Sequence, residues 1–593
     1  MDTMARSERY RIERDKRIRP DGNDQYLQPA GRFAHLLEDP YTPFVERAPV
    51  DAEIEVAVIG GGFSGLVTGA RLRQAGISDV HLIEGGGDVG GAWYWNRYPG
   101  AMCDTAAMVY LPLLEETGYM PSAKYVPAPE IHAHARRIAR HFGLDDGAFL
   151  STQVTSLDWD DNHRRWVIGT NRGDRLRARF VTMGTGPLHR PKLPGIPGIE
   201  EFAGHCFHTS RWDYDYTGGD PSGAPMTGLA ERRVGIIGTG ATAVQCIPHL
   251  ARSAGELFVF QRTPSSIDVR NNHPIDPAWF ATLEPGWQQA WLTNFATLQT
   301  GGFAAEDLVQ DGWTDITKRI RDRVVADLGA GAEFTVETMR RAYEASDDEK
   351  MDEIRARVDA IVHDPATAEA LKPWYRQLCK RPCFHDEYLD AFNVPTVHLV
   401  DTDGQGVTRI DATGAWVGDV HVELDCIVFA SGFEVGTAAA RRSGFETTGR
   451  HGTLSEHWAE GMRSLHGIHV HGFPNLFVVG PSQGANLISN ITQNLTEAGT
   501  AIASTIAHAR STGATIVEAT PQAESAWVEL LEGSERAFLG NPECTPGYYN
   551  NEGGPIGRRE RLNSSGFPAG PVAFWDHLRA WTATGRFEGL RID

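Results

Sequence analysis

Two glycine-rich turns constrain this chain more than any other feature. Gly60, Gly62 and Gly65 follow an apolar run at residues 55–59 and precede a helical pattern at 66–75. A second apolar run, 80–84, ends in Glu84. Strand, glycine turn, helix, strand is a βαβ unit, whose two strands lie parallel in one sheet. The first glycine makes the tight turn, the second clears room for a pyrophosphate, and the third lets the helix pack close to the strand. The helix N-terminus offers free N–H groups to phosphates, and an acid ending the second strand accepts hydrogen bonds from a ribose diol. The plan recurs with Gly238, Gly240 and Ala243, set between apolar runs at 234–237 and 257–260.

The two units differ at one telling position. Glu84 lies 24 residues after Gly60, and Arg262 lies 24 residues after Gly238. A carboxylate repels a ribose phosphate, whereas a guanidinium binds it through a planar fork. The first unit therefore predicts FAD and the second NADP. Two dinucleotide sites in one chain predict hydride transfer from NADPH to a flavin. The expected fold class is α/β: two Rossmann-like doubly wound dinucleotide-binding domains with a helical insertion.

Charge and composition narrow the partners. The net charge of −21 disfavours nucleic acid and anionic lipid. No run reaches the roughly 18 apolar residues of a membrane span. Residues 6–19 alternate basic and acidic side chains, without the apolar core of a signal peptide. The seven cysteines are scattered, odd in number and lack a Cys-x-x-Cys pair, which predicts reduced, buried thiols and a cytoplasmic protein. His132 and His134 have no acid or thiol cluster at ligand spacing, so no metal is expected. No G-x-S-x-G elbow suggests a hydrolase, and nothing points to an obligate protein partner.

Along the chain, residues 1–50 read as an N-terminal extension with one helix between 7 and 19. The first part of the FAD-binding domain spans 51–187 and a linker 188–229. The NADP-binding domain spans 230–265 and 376–424, split by a helical insertion at 266–375. The FAD-binding domain resumes at 425–515, and 516–593 form a C-terminal extension.

The linker carries the most specific motif. Phe202, Gly204, His208, Trp212 and Asp213 match F-x-G-x-x-x-H-x-x-x-W-(P/D). This resembles the fingerprint of type I Baeyer–Villiger monooxygenases. Related flavin enzymes that oxygenate amines or sulfides usually carry Tyr or Phe in place of Trp212. Residues 90–104 look like the family's flavin-side segment, and residues 430–433 resemble its A-T-G-F motif with Ser431 in place of Thr. Residues 8–20, 111–118 and 546–552 look like the longer members, which act on large or fused rings.

The resemblance implies an enzyme that uses FAD, NADPH and dioxygen to convert a bulky cyclic ketone into a lactone or ester. It implies that Arg381 is the catalytic cation, that Lys380 contacts the nicotinamide nucleotide, and that Asp104 lies against the flavin and pairs with Arg381. Trp93 and Tyr110 on the flavin side, and Thr263 beside Arg262, join the expected cofactor contacts. Where the family often has Glu, this chain has Ala106. His208 and Trp212 are expected to be structural, coupling the two domains.

Overall fold

The computed structural model describes residues 3–329, 335–480, 482–485, 490–533 and 543–593. Helix α1 (Thr3–Asp15) leads to strand β1 (Asp51–Ile59), helix α2 (Phe63–Gln74) and strand β2 (Val80–Ile83). Strands β3 (Val154–Asp160), β4 (Arg165–Thr170) and β5 (Arg175–Met183) follow. The second unit comprises β6 (His205–His208), β7 (Arg233–Ile237), α3 (Ala241–Ala251) and β8 (Glu256–Gln261). Three longer helices, α4 (Trp287–Gln299), α5 (Gly312–Leu328) and α6 (Val336–Ile361), precede β9 (Val397–Asp401) and β10 (Cys426–Phe429). The chain then adds β11 (Thr447–Thr448), β12 (Leu476–Val478), α7 (Ile491–Thr512) and α8 (Pro571–Ala583).

Two sheets result. The first has the order β11-β3-β4-β5-β1-β2, with β12 also paired to β5. The second has the order β9-β8-β7-β10-β6 and is parallel throughout. Val56, Ala57 and Val58 are all fully buried. A central parallel strand covered on both faces reads as a continuous apolar run, not as an alternation. Helices α2 and α7 pack together over the first sheet, and their apolar faces join one core with β1, β2 and α8.

Both turns work through backbone geometry. Gly60 and Gly238 have φ of +102° and +117°, which L side chains rarely adopt. A Cβ on Gly65 would lie 1.9 Å from the Gly60 carbonyl oxygen, so helix and strand approach this closely only with glycine there.

The structure departs from the sequence expectation in several places. Strand β1 begins at Asp51, ahead of the apolar run, because its polar start pairs with β5 from Arg175 onward. Helix α1 ends at Asp15 rather than 19. The chain turns there, and Arg17 donates through Nε to the Arg262 carbonyl oxygen at 3.0 Å. Strand β10 falls within the segment 425–515 expected for the first domain, yet it pairs with β7 and β6 in the second sheet. Its four residues are all buried, Cys426 and Val428 in the core on one face of that sheet and Ile427 and Phe429 in the core on the other. The loop after Gly480 lies partly outside the described residues, namely at Pro481 and 486–489.

The expectation of seven reduced cysteines is overturned: Cys379 and Cys544 form a disulfide. They are 165 residues apart and meet only because the C-terminal extension folds back beside the Lys380–Arg381 loop. The other five cysteines are free. Among the described residues no helix is long and apolar enough to cross a membrane, and no group of three metal-ligating side chains is present.

Candidate active site

A cavity of about 1090 Å³ opens at the first glycine turn, lined among others by Gly60, Gly62, Glu84, Trp93, Tyr110 and Tyr548. Glu84 is 6% exposed. Its Oε2 accepts from the Gly61 N–H at 2.6 Å and its Oε1 from the Gly86 N–H at 2.7 Å. Burial raises its pKa, and these two N–H bonds oppose the rise. Trp93 Nε1 donates to the Tyr110 hydroxyl at 2.8 Å, so the two rings form one wall. A glycine cradle, an acid at the strand end and an aromatic wall, in a cavity of this size, fit an FAD.

Asp104 lies between two arginines and is 2% exposed. Arg381 Nη1 donates to its Oδ2 at 2.8 Å. Arg270 Nη2 donates to its Oδ1, and Gln245 Nε2 reaches the same oxygen at 3.4 Å. Gln245 sits in α3, so the helix of the second βαβ unit touches the loop that carries Asp104. Trp313 Nε1, from the first turn of α5, donates to the Asp104 carbonyl oxygen at 3.1 Å. The helical insertion is thereby fastened to the same loop. Burial works against the Arg381 charge, but Asp104, joined by Cys383 and Tyr548, outweighs it and holds the guanidinium well above its ordinary pKa.

On the nucleotide side, Gly240 caps the N-terminus of α3, and a Cβ there would meet nothing within 4 Å, which leaves space for a phosphate. Ala243 is buried in α3. Thr263 is buried, and its carbonyl oxygen accepts from Thr239 Oγ1 at 2.6 Å. Arg262 follows β8 and donates through Nη1 to Gln25 Oε1 at 2.5 Å and through Nη2 to the Tyr26 hydroxyl at 3.5 Å. Burial pushes the Lys380 pKa down to about 8, and the charges of Arg262 and Arg17 add to the fall. This clustering of cations beside an open helix N-terminus fits a phosphorylated dinucleotide such as NADPH.

The fingerprint lies in the second sheet. His208 ends the edge strand β6, fully buried, with Nδ1 at 2.8 Å from Ser210 Oγ. Burial and nearby Arg211 push its pKa down to about 3, so it is neutral. Trp212 is 1% exposed, and its Nε1 donates to Thr217 Oγ1 at 3.2 Å.

Sequence reasoning missed Arg270, which lies 166 residues from Asp104. It sits just past the second βαβ unit, outside any motif, and no spacing rule marks it. Gln25, Tyr26 and Lys192 were missed for the same reason: none of the three is part of a motif.

These features define an oxidoreductase that binds two dinucleotides and holds an arginine paired with a buried carboxylate where their domains meet. Residues 57–289 match the family model described as pyridine nucleotide-disulphide oxidoreductase. The chain is 50% identical over 597 residues to neopentalenolactone D synthase of Streptomyces avermitilis, covering 100% of this chain and 99% of that protein. Its fold matches the polycyclic ketone monooxygenase of the fungus Thermothelomyces thermophila with a TM-score of 0.90 and 36% identity, over 100% and 99% of the two chains. It also matches the structure of OTEMO in complex with FAD and NADP, with a TM-score of 0.72 and 26% identity, over 92% and 100%. The chain belongs to the Baeyer–Villiger monooxygenases, FAD-containing and NADPH-dependent oxidoreductases.

Proposed function

We propose that this enzyme inserts one oxygen atom of dioxygen beside the carbonyl of a bulky cyclic or polycyclic ketone, terpenoid in type, to give a lactone or ester. The observation that carries the reading is Arg381, ion-paired to the buried Asp104 where the helix of the nucleotide unit meets the flavin-side loop. When bound, FAD would take the hydride of NADPH and activate dioxygen. Gly60, Gly62 and Gly65 would cradle its pyrophosphate, Glu84 its ribose, and Trp93 and Tyr110 would wall its ring end. Gly238, Gly240 and Ala243 would receive the coenzyme pyrophosphate, with Arg262, Thr263 and Lys380 around its ribose phosphate. Arg381 would supply the fixed positive charge for the oxyanion that develops on the ketone. Asp104 would orient that guanidinium and keep it charged.

The names of the relatives, a neopentalenolactone D synthase and a polycyclic ketone monooxygenase, support a fused-ring ketone. We keep the domain division read from the sequence as a proposal, with β6 and β10 assigned to the nucleotide-binding domain because both pair within its sheet. The need for NADPH supports a cytoplasmic enzyme, and the reading requires no protein partner.

The test is a panel of ketones from cyclohexanone to steroids and tricyclic keto acids, scored by NADPH consumption and product mass. Lactone from the bulky members is expected. Oxygenation of amines alone, or preference for the smallest rings, overturns the reading.

Arg262→Ala should raise KM for NADPH far more than for NADH. The lost contact is a charge-assisted hydrogen bond of about 1.5–3 kcal/mol. Equal losses with both coenzymes would remove Arg262 as the phosphate reader.

A further inference from the structure

Arg262 is met by segments from both ends of the chain. Arg17 reaches it from the end of α1 and is already paired with Glu13 at 2.8 Å. Lys192, 7% exposed, comes from the linker, and Lys380 from the loop before Arg381. Into this cluster the C-terminal extension sends Glu552, only 3% exposed. Its Oε1 lies 3.9 Å from Lys192 Nζ, and its Oε2 lies 3.7 Å from Arg262 Nη2. That Oε2 is buried without a hydrogen-bond partner among the described residues. Asn551 and Glu552 both hold left-handed backbone, at φ of +55° and +54°.

A carboxylate this deeply buried requires opposite charge around it. Glu552 has that charge but sits too far from either cation to hydrogen-bond it. Lys192, Arg262 and Lys380 all face Glu552, and Glu434, which also acts on Lys192, is already paired with Arg441, so the cluster retains an excess of positive charge. A phosphate oxygen makes the same demand on these cations as a carboxylate oxygen. The disulfide holds Cys544, eight residues before Glu552, against Cys379, which directly precedes Lys380. The carboxylate can therefore give way while its segment stays anchored.

We propose that Glu552 is a built-in counter-ion of the coenzyme phosphate site, competing with the ribose phosphate of NADPH for Arg262 and Lys192. The C-terminal extension thereby sets coenzyme affinity. This rests on the reading of Arg262 as the phosphate reader. NAD+ and NADH lack that phosphate and meet no such competition.

The experiment titrates FAD-loaded wild type, Glu552→Gln and Glu552→Asp with NADP+ and NAD+, followed by calorimetry. Glu552→Gln should bind NADP+ about tenfold more tightly, since juxtaposed like charges cost this much or more. NAD+ affinity should not change. Glu552→Asp keeps the charge and should stay near wild type for NADP+. Unchanged or weaker NADP+ binding in Glu552→Gln overturns the proposal. So does equal tightening for both coenzymes, or the same tightening in Glu552→Asp. Arg262→Ala, run in parallel, separates the two readings. Loss of NADP+ preference there, with no effect of Glu552→Gln, removes the counter-ion role alone. Unchanged preference in Arg262→Ala removes the phosphate site and the counter-ion with it.

Discussion

Arg381→Ala should give a folded, yellow protein that still consumes NADPH but makes almost no lactone. The glycine turn, Glu84 and the Trp93–Tyr110 wall do not involve Arg381, so FAD binding and hydride acceptance should persist. What disappears is a permanent cation. Its charge survives burial because Asp104 lies 2.8 Å away. A group that stabilises charge developing only in the transition state contributes to the rate of that step and not to binding. Loss of one such donor costs roughly 10²–10³ in rate. The NADPH that is still oxidised should end as hydrogen peroxide. Lysine at 381 should rescue poorly, because a compact ammonium cannot hold Asp104 and face the ketone through one planar fork. The quantity to measure is lactone formed per NADPH consumed. A near-normal ratio in Arg381→Ala would shift the catalytic role to another cation, and Arg270 would be the first to examine.

Asp104→Asn should destabilise the enzyme more than any change at the rim of the cavity. The carboxylate is 2% exposed and sits between Arg270 and Arg381. An amide of the same size cannot balance either charge, and two guanidinium groups would face each other across it. Removing one partner of a buried ion pair costs about 3–5 kcal/mol. Arg381 is partly open to solvent, which favours the lower end of that range. Urea unfolding followed by tryptophan fluorescence should show the drop. A double variant with Arg270→Met should recover part of it, because the coupling between the two positions is then removed as well. Wild-type stability in Asp104→Asn would mean that the arginines are held apart by other contacts, and that Asp104 has no part in orienting Arg381.

Much of this enzyme was legible along the chain because its cofactor motifs are local. A glycine turn works through the φ of Gly60 and the approach of Gly65 to a carbonyl five residues away. The contrast of Glu84 with Arg262 needs only a count of residues within one βαβ unit. The Lys380–Arg381 pair and Asp104 came instead from likeness to a family, and their contact spans 277 residues. Local reasoning failed where backbone pairing or side-chain assembly overrode composition. The polar start of β1 is a strand because β5 offers it hydrogen bonds, not because Asp51 or Glu53 prefers one. Cys426 to Phe429 is apolar in either domain, and only the pairing partners decide which sheet it joins.

The sequence alone pointed to two dinucleotide sites, one of each kind, on a largely parallel α/β framework. The tertiary structure alone decided that Arg270 shares Asp104, that Cys379 bonds Cys544, and that both chain ends close on Arg262. Backbone turns and strand ends are set by neighbours a few residues away, so their chemistry is written locally. Charge balance in a buried site is set by whichever groups the fold brings within about 4 Å, and no spacing along the chain encodes that.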